Sequence, residues 1–181
     1  DKYPNIDITI ISRSSSELLN MLNNNEVDFV IDISSYKDKL EHFNVKQIKD
    51  LKHCFVMSSQ FNISDEKEIK SISDLKDLPL ILPVFHSSHR KKLNEYARKR
   101  NVEFSNVISI ETSEIIYNTI KNKLGIGYIL YDIVKDDIKS KNMKLIKIEE
   151  ELPIATLNLI YKNNMVTIAS NEFIENFIKN I

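Results

Sequence analysis

Glycine is almost absent from this 181-residue chain, with Gly125 and Gly127 the only two. A dinucleotide fingerprint needs three glycines, a Walker loop two at fixed spacing, and a nucleophile elbow two around a serine. In each case backbone must approach a phosphate or turn sharply where a Cβ would not fit. Here both glycines lie in Leu124-Gly125-Ile126-Gly127-Tyr128, and no Lys-Ser/Thr pair follows. Nucleotide-loop enzymes are therefore disfavoured. Cysteine occurs once, as Cys54, so neither an internal disulfide nor a cysteine-based zinc site is available. Beside Phe55 it reads as a small buried apolar residue. Neither sign of charge dominates: 25 Lys and Arg stand against 26 Asp and Glu, a net charge of −1. That removes the electrostatic argument for a free-standing nucleic-acid binder. No run of about 18 apolar residues is present, so no membrane span is expected. Asp1-Lys2-Tyr3-Pro4 has no signal-peptide pattern.

What is present alternates between strand and helix patterns. A chain this long can bury roughly 70% of its unfolded surface. Ile6–Ile11 alternates as a strand. Ser14 and Glu17 stand at capping-box spacing before a helix with Leu18, Leu19 and Leu22 on its apolar face. Asn23 to Asn25 ends that helix, and Val27–Ile31 reads as a strand suited to a buried parallel position. Extended segments follow at Val45–Leu51 and His53–Met57, then a short turn or helix at Ser73–Leu75. Leu78–Leu82 is a strand broken by Pro83. Ser87 or Ser88 caps a helix from about His89 to Arg100, with Leu93, Tyr96 and Ala97 as its buried stripe. Val107–Ile110 is a strand. Thr112 and Ser113 cap a helix whose inward residues are Ile115, Ile116, Ile120 and Leu124. The two glycines lead into a strand at Ile126–Leu130, with Gly125 the expected left-handed residue closing the helix. Gly127 is expected to let that strand pass close to a neighbouring backbone or the cleft. A short helix at Ile133–Ile138, extended segments at Met143–Ile148 and Thr156–Tyr161, and a last helix carrying Phe173 and Ile174 complete the pattern. It predicts an α/β fold with mostly parallel sheets. The visible chain is expected to be the remainder of a longer polypeptide, with a first strand and helix missing.

Four blocks in order carry a family resemblance. The first is Tyr3-Pro4-Asn5-Ile6, then Ser15-Ser16-Glu17-Leu18-Leu19, then Val27–Ile31. The second is Ser71-Ile72-Ser73-Asp74-Leu75 with Leu78–Leu82. The third is Ser87-Ser88-x-Arg90. The fourth is Glu111-Thr112-Ser113 followed by the Ile-rich helix and Leu124-Gly125-Ile126-Gly127. Together they resemble the effector-binding domain of LysR-type transcriptional regulators. The resemblance implies a two-lobed, type 2 periplasmic-binding-protein-like α/β fold with two crossover strands. The first lobe would be 1–58 plus 151–181, and the second 59–150. It further implies a small-molecule effector bound between the lobes, and a cytoplasmic homodimer or homotetramer. DNA would be contacted through an N-terminal winged helix-turn-helix absent from this chain.

The candidate ligand residues are hydroxyls at helix starts: Ser14 and Ser15, Ser87 and Ser88, Thr112 and Ser113. Such ends present free N–H groups and a partial positive charge, which suit a small anion. Simple capping accounts for the same residues. Ser34, in the loop after the strand ending at Ile31, is a further candidate. Arg90 offers a bidentate anion contact, or equally a surface ion pair. His86 is a candidate donor, but His86 and His89 alone lack the ligands for a metal. His42 and His53 read as surface or strand residues. No cofactor and no catalytic constellation is expected. Two rivals remain in different classes: an extracytoplasmic solute-binding protein of the same fold, and an enzyme built on it.

Overall fold

Short hydroxyl-capped helices alternate with short β-branched strands, and both kinds form largely where local propensity puts them. In chain order the elements are α1 (Ser15–Asn23), β1 (Phe29–Asp32), β2 (Asn44–Ser58), a 3₁₀ turn (Ile72–Leu75), β3 (Leu80–Pro83), α2 (Ser88–Arg98), β4 (Val107–Ile110), α3 (Ser113–Lys121), β5 (Ile126–Leu130), α4 (Tyr131–Lys139), β6 (Met143–Ile146), β7 (Ile154–Tyr161) and α5 (Ile168–Lys179). They come from a computed structural model that describes residues 7–33, 42–63, 68–162 and 168–179. Ser34 and Ser35 lie outside the described residues. The chain divides into two compact units, Asp1–Ile48 with Leu157–Ile181, and Lys49–Thr156. Strands β2 and β7 each run from one unit into the other.

In the first unit, Ser14 and Glu17 form a capping box that starts α1. The Ser14 hydrogen bonds hold the Glu17 carboxyl below its ordinary range. Leu22 of α1 packs with Val30 of β1 and Ile160 of β7, and the Phe29 and Phe173 rings stack at 5.0 Å. Two expectations fail here. β1 pairs antiparallel with β7, Phe29 opposite Tyr161, and of its apolar run only Val30 is buried, with Ile31 37% exposed. Residues 7–11 form no strand. They pair with nothing among the described residues, and Ile8 and Ile10 stand 68% and 90% exposed, so the alternation has no face to bury.

The second unit is built on a sheet ordered β6–β2–β5–β3–β4. β3 pairs in parallel with β4 and with β5, whereas β2 runs antiparallel to both β5 and β6. The mostly parallel sheet expected from the alternation is thus a parallel trio with an antiparallel flank. The two segments expected around Lys52 are one strand of 15 residues, in which Lys52 is an exposed position between buried Leu51 and His53. Alternation also builds two cores. Phe55, Leu80, Leu82, Ile126 and Tyr128 meet Leu93 and Ala97 of α2 on one face. Cys54, Val56, Ile81 and Ile129 meet Ile116 and Ile120 of α3 and Val134 of α4 on the other. Burial pushes the Cys54 thiol up to about 12, leaving it a packing residue. Ile115 and Leu124 are exposed rather than inward. Ile115 lies about 100° around the helix from Ile116, and α3 ends before Leu124.

The helices close without glycine. Asn25, Asn101, Lys123 and Lys141 take φ values of 62°, 57°, 63° and 62° just past the ends of α1 to α4. Lys123, not Gly125, is the left-handed residue after α3. Gly125 serves a close approach: a Cβ there would stand 2.5 Å from the Pro79 carbonyl oxygen, which accepts from the Ile126 N–H at 2.8 Å. Gly127 lies under α3, where a Cβ would meet Ile120 Cγ1 at 2.5 Å and its Cδ1 closer still. The neighbour that Gly127 admits is therefore a helix side chain, not another backbone.

Two sets of variants test these roles by thermal and urea denaturation. A left-handed conformation costs a non-glycine residue about 1–2 kcal/mol, partly offset by the freer unfolded glycine. Lys123→Gly should therefore raise the midpoint by about 1–3 °C. Gly127→Ala should cost about 1–3 kcal/mol, and adding Ile120→Val, which removes Cδ1, should recover part of it. Gly125→Ala should cost at least as much and gain nothing from Ile120→Val, because its obstacle is a main-chain carbonyl.

Candidate functional site

Parallel strands deliver their following helices to one edge of a sheet. After β3 and β4 the chain turns directly into α2 and α3, and Val84 N–H donates to the Ile110 carbonyl at 3.0 Å, tying the two turns together. β5 ends at the same edge and continues into α4. Three helix N-termini thus gather at the carboxyl edge of the second unit. Two carry hydroxyl caps. Ser87 Oγ accepts from Arg90 N–H at 3.1 Å, and Thr112 Oγ1 from Ile115 N–H at 3.3 Å. The side chains of Ser88 and Ser113 have no hydrogen-bond partner among the described residues and remain available. The third helix carries Asp132 in its first turn, 3.8 Å from Lys49 and 3.7 Å from Lys135. Its positive end already holds a carboxylate.

Each predicted site residue except Ser34 falls within the described residues. Ser87, Ser88, Thr112 and Ser113 come together at this edge, and His86 is exposed in the turn before Ser87. Ser14 and Ser15 start α1 in the first unit, with Ser14 engaged by Glu17. Ser34 lies outside the described residues. Arg90 is buried: its Nε donates to Asn94 Oδ1 at 2.8 Å and its Nη1 to the Pro83 carbonyl at 3.2 Å. It falls on the stripe of Leu93 and Ala97, the i, i+3, i+7 spacing of a buried helix face. That spacing is the sequence signal for its burial.

One residue at the edge was not singled out from sequence. His53 of β2 lies opposite Leu130, at the end of β5. Its ring stacks on Tyr128 at 4.7 Å and stands 4.8 Å from the ring of His89, in the first turn of α2. It is 9% exposed, and its Nδ1 is buried without a partner. Leu51, His53 and Phe55 share one face of β2, so the alternation already pointed His53 inward. Burial first, then the nearby His89 and Lys92, push the imidazole down to about 3. Neutral at physiological pH, it offers one donor and one acceptor beside the α2 N-terminus. Among the described residues no three His, Cys, Asp or Glu side chains are grouped to hold a metal. Nor is any described helix long and apolar enough to cross a membrane.

The His53 shift has a pH signature. Unfolded imidazole gains its proton near pH 6.5, whereas the folded ring gains it only near pH 3. Above about pH 6.5 the group has no effect on stability. Below it the unfolded state binds more protons, so stability falls by about 1.4 kcal/mol per pH unit. Between pH 6.5 and 5, urea unfolding should show the wild-type chain losing about 2 kcal/mol more than His53→Phe.

Comparison with known proteins gives this edge a context. The family model for the LysR substrate binding domain matches residues 1–180. The malolactic fermentation system transcriptional activator of Lactococcus lactis subsp. lactis (strain IL1403) is 26% identical over 167 residues, 92% of this chain and 57% of that protein. The chain thus spans little more than half of that curated relative. The apo regulatory domain of HypT from Salmonella typhimurium superposes with a TM-score of 0.79 at 13% identity, over 97% of this chain and 82% of that one. The CcmR regulatory domain of Synechocystis PCC6803, in complex with 2-PG, gives 0.78 at 15% identity, over 98% and 85%. The shared fold is the type 2 periplasmic-binding-protein-like α/β fold of these regulatory domains. With the family model spanning almost every residue, the chain belongs to the LysR substrate binding domain family.

Proposed function

We propose that this chain is the effector-sensing part of a LysR-type transcriptional regulator, and that its effector is a small anion. The carrying observation is the carboxyl edge of the second unit. There two hydroxyl-capped helix starts and the unpartnered, neutral His53 lie together. Helix N-termini favour negative charge, and Ser88, Ser113 and His53 add directed hydrogen bonds. His86 is an outer donor. Ser14, Ser15 and Ser34 are further candidate ligand residues, carried by the first stretch of the chain. Arg90 enters this reading through its N–H, which closes the Ser87 cap.

The lobes are taken as 1–58 plus 151–181 and 59–150, and ligand binding as a shift between lobe arrangements set by differential affinity. The output would be DNA binding through an N-terminal winged helix-turn-helix, in a cytoplasmic homodimer or homotetramer. The chain itself does no catalysis in this reading.

A thermal-shift panel of small carboxylates and inorganic oxyanions tests it. A ligand at about 100 times its Kd stabilises by about 2.7 kcal/mol, a rise of about 5–10 °C in a domain of this size. Ser88→Leu and Thr112→Leu should each abolish the rise produced by the best ligand. A rise that survives both substitutions would overturn the assignment of this edge.

A further inference from the structure

A groove opens along α2 from the turn after β3, and it contains a buried guanidinium that pairs with no carboxylate among the described residues. The groove, about 680 Å³, runs along α2 and is lined by Phe85, Arg90, Asn94, Arg98, Asn101 and Phe104 among others. None of Ser87, Ser88, Thr112, Ser113 or His53 lines it. Arg90 is 6% exposed. Of its five N–H groups, two are used, one on Asn94 and one on the Pro83 carbonyl. The other three sit on the terminal nitrogens, and no carboxylate pairs with the guanidinium among the described residues. Its carbon stands 5.7 Å from the centre of the Phe85 ring, which is 70% exposed.

These features narrow the ligand chemistry. A buried guanidinium without a counter-ion is destabilising, and it cannot relieve the cost by shedding its proton. Its planar fork matches a carboxylate. Lys91 and Arg98 line the same groove, as do Glu95 and Glu103. Both acids are exposed, so solvent screens them while the buried cation keeps its field. Phe85 and Phe104 supply apolar walls that an inorganic anion would leave wet. We propose that this groove, whose lining includes none of Ser87, Ser88, Thr112, Ser113 or His53, is a second ligand site, which takes a small carboxylate with an aromatic or other flat apolar body. The carboxylate would meet the free edge of Arg90 and the body would lie between Phe85 and Phe104.

The test uses the 181-residue chain labelled with ¹⁵N and three probes. Phenylacetate has both parts, phenylacetamide lacks the charge, and acetate lacks the body. Phenylacetate should shift the Arg90 side-chain N–H signals saturably and leave the backbone N–H signals of Ser88 and Thr112 in place. The other two probes should bind about tenfold more weakly or not at all. Phe85→Ala removes an exposed ring and should keep the fold while weakening phenylacetate about threefold or more. Arg90→Gln should abolish binding where it folds, and the Phe85 variant carries the test where it does not. Three results would each overturn the proposal. They are equal binding of phenylacetate and phenylacetamide, shifts confined to Ser88 and Thr112, and no saturable shift up to about 10 mM. Any of these would leave Arg90 a strut between Pro83 and Asn94.

Discussion

Parallel pairing of β3 with both β4 and β5 is the constraint on which the second unit depends. A parallel strand cannot be reached by a hairpin, so each strand must be followed by a crossover. Here the crossovers contain α2 and α3, on opposite faces of the sheet. Because the strands point the same way, their helices start at the same edge. A ligand-sized concentration of N–H dipoles is therefore a consequence of topology before any side chain is chosen. The hydroxyl residues then decide which helix ends stay available: α4 spends its positive end on Asp132, while Ser88 and Ser113 leave theirs open.

The scarcity of glycine has a physical counterpart in the helix ends. Four turns that glycine would make without strain are made by asparagine and lysine. The two glycines are kept for a different need, the removal of a Cβ from a contact too close to hold one. At Gly125 the contact is the Pro79 carbonyl, and at Gly127 it is the flank of Ile120. Both contacts seat β5, and β5 in turn positions Tyr128 and the stack beneath His53. A conformational preference can be overridden at a cost of about 1–2 kcal/mol. An overlap of atoms against main chain has no comparably cheap solution.

Two buried bases in the second unit are pushed the same way by burial and end in different charge states. His53 gives up its proton, because an imidazole titrates close enough to neutrality for desolvation to win. Arg90 is also pushed downward by burial, yet a guanidinium starts so high that it stays charged. One location therefore holds a neutral donor and acceptor beside helix dipoles, and the other a full positive charge beside the Phe85 ring. Similar burial produces two kinds of anion chemistry, and the difference lies in the intrinsic basicity of the side chains.

Much of the local structure was legible in the sequence, because it rests on neighbours a few residues away. The Ser14–Glu17 box, the Ser87 and Thr112 caps, and the β5 strand after the glycines are all short-range chemistry. So is the ordered set of blocks that resembles the family. Pairing direction was not legible: the apolar runs of β1 and β3 look alike, yet one strand pairs antiparallel and the other parallel. The strand expected before Ser14 shows the same limit, since alternation specifies a face but not a partner to cover it. For the site, the sequence by itself determined which helix ends carry hydroxyls. Only tertiary structure decided that those of α2 and α3 share an edge with His53, and that Arg90 lines a groove along α2. The reason is physical: caps and propensities act within a helical turn, whereas the surroundings of a buried charge are set by segments distant along the chain.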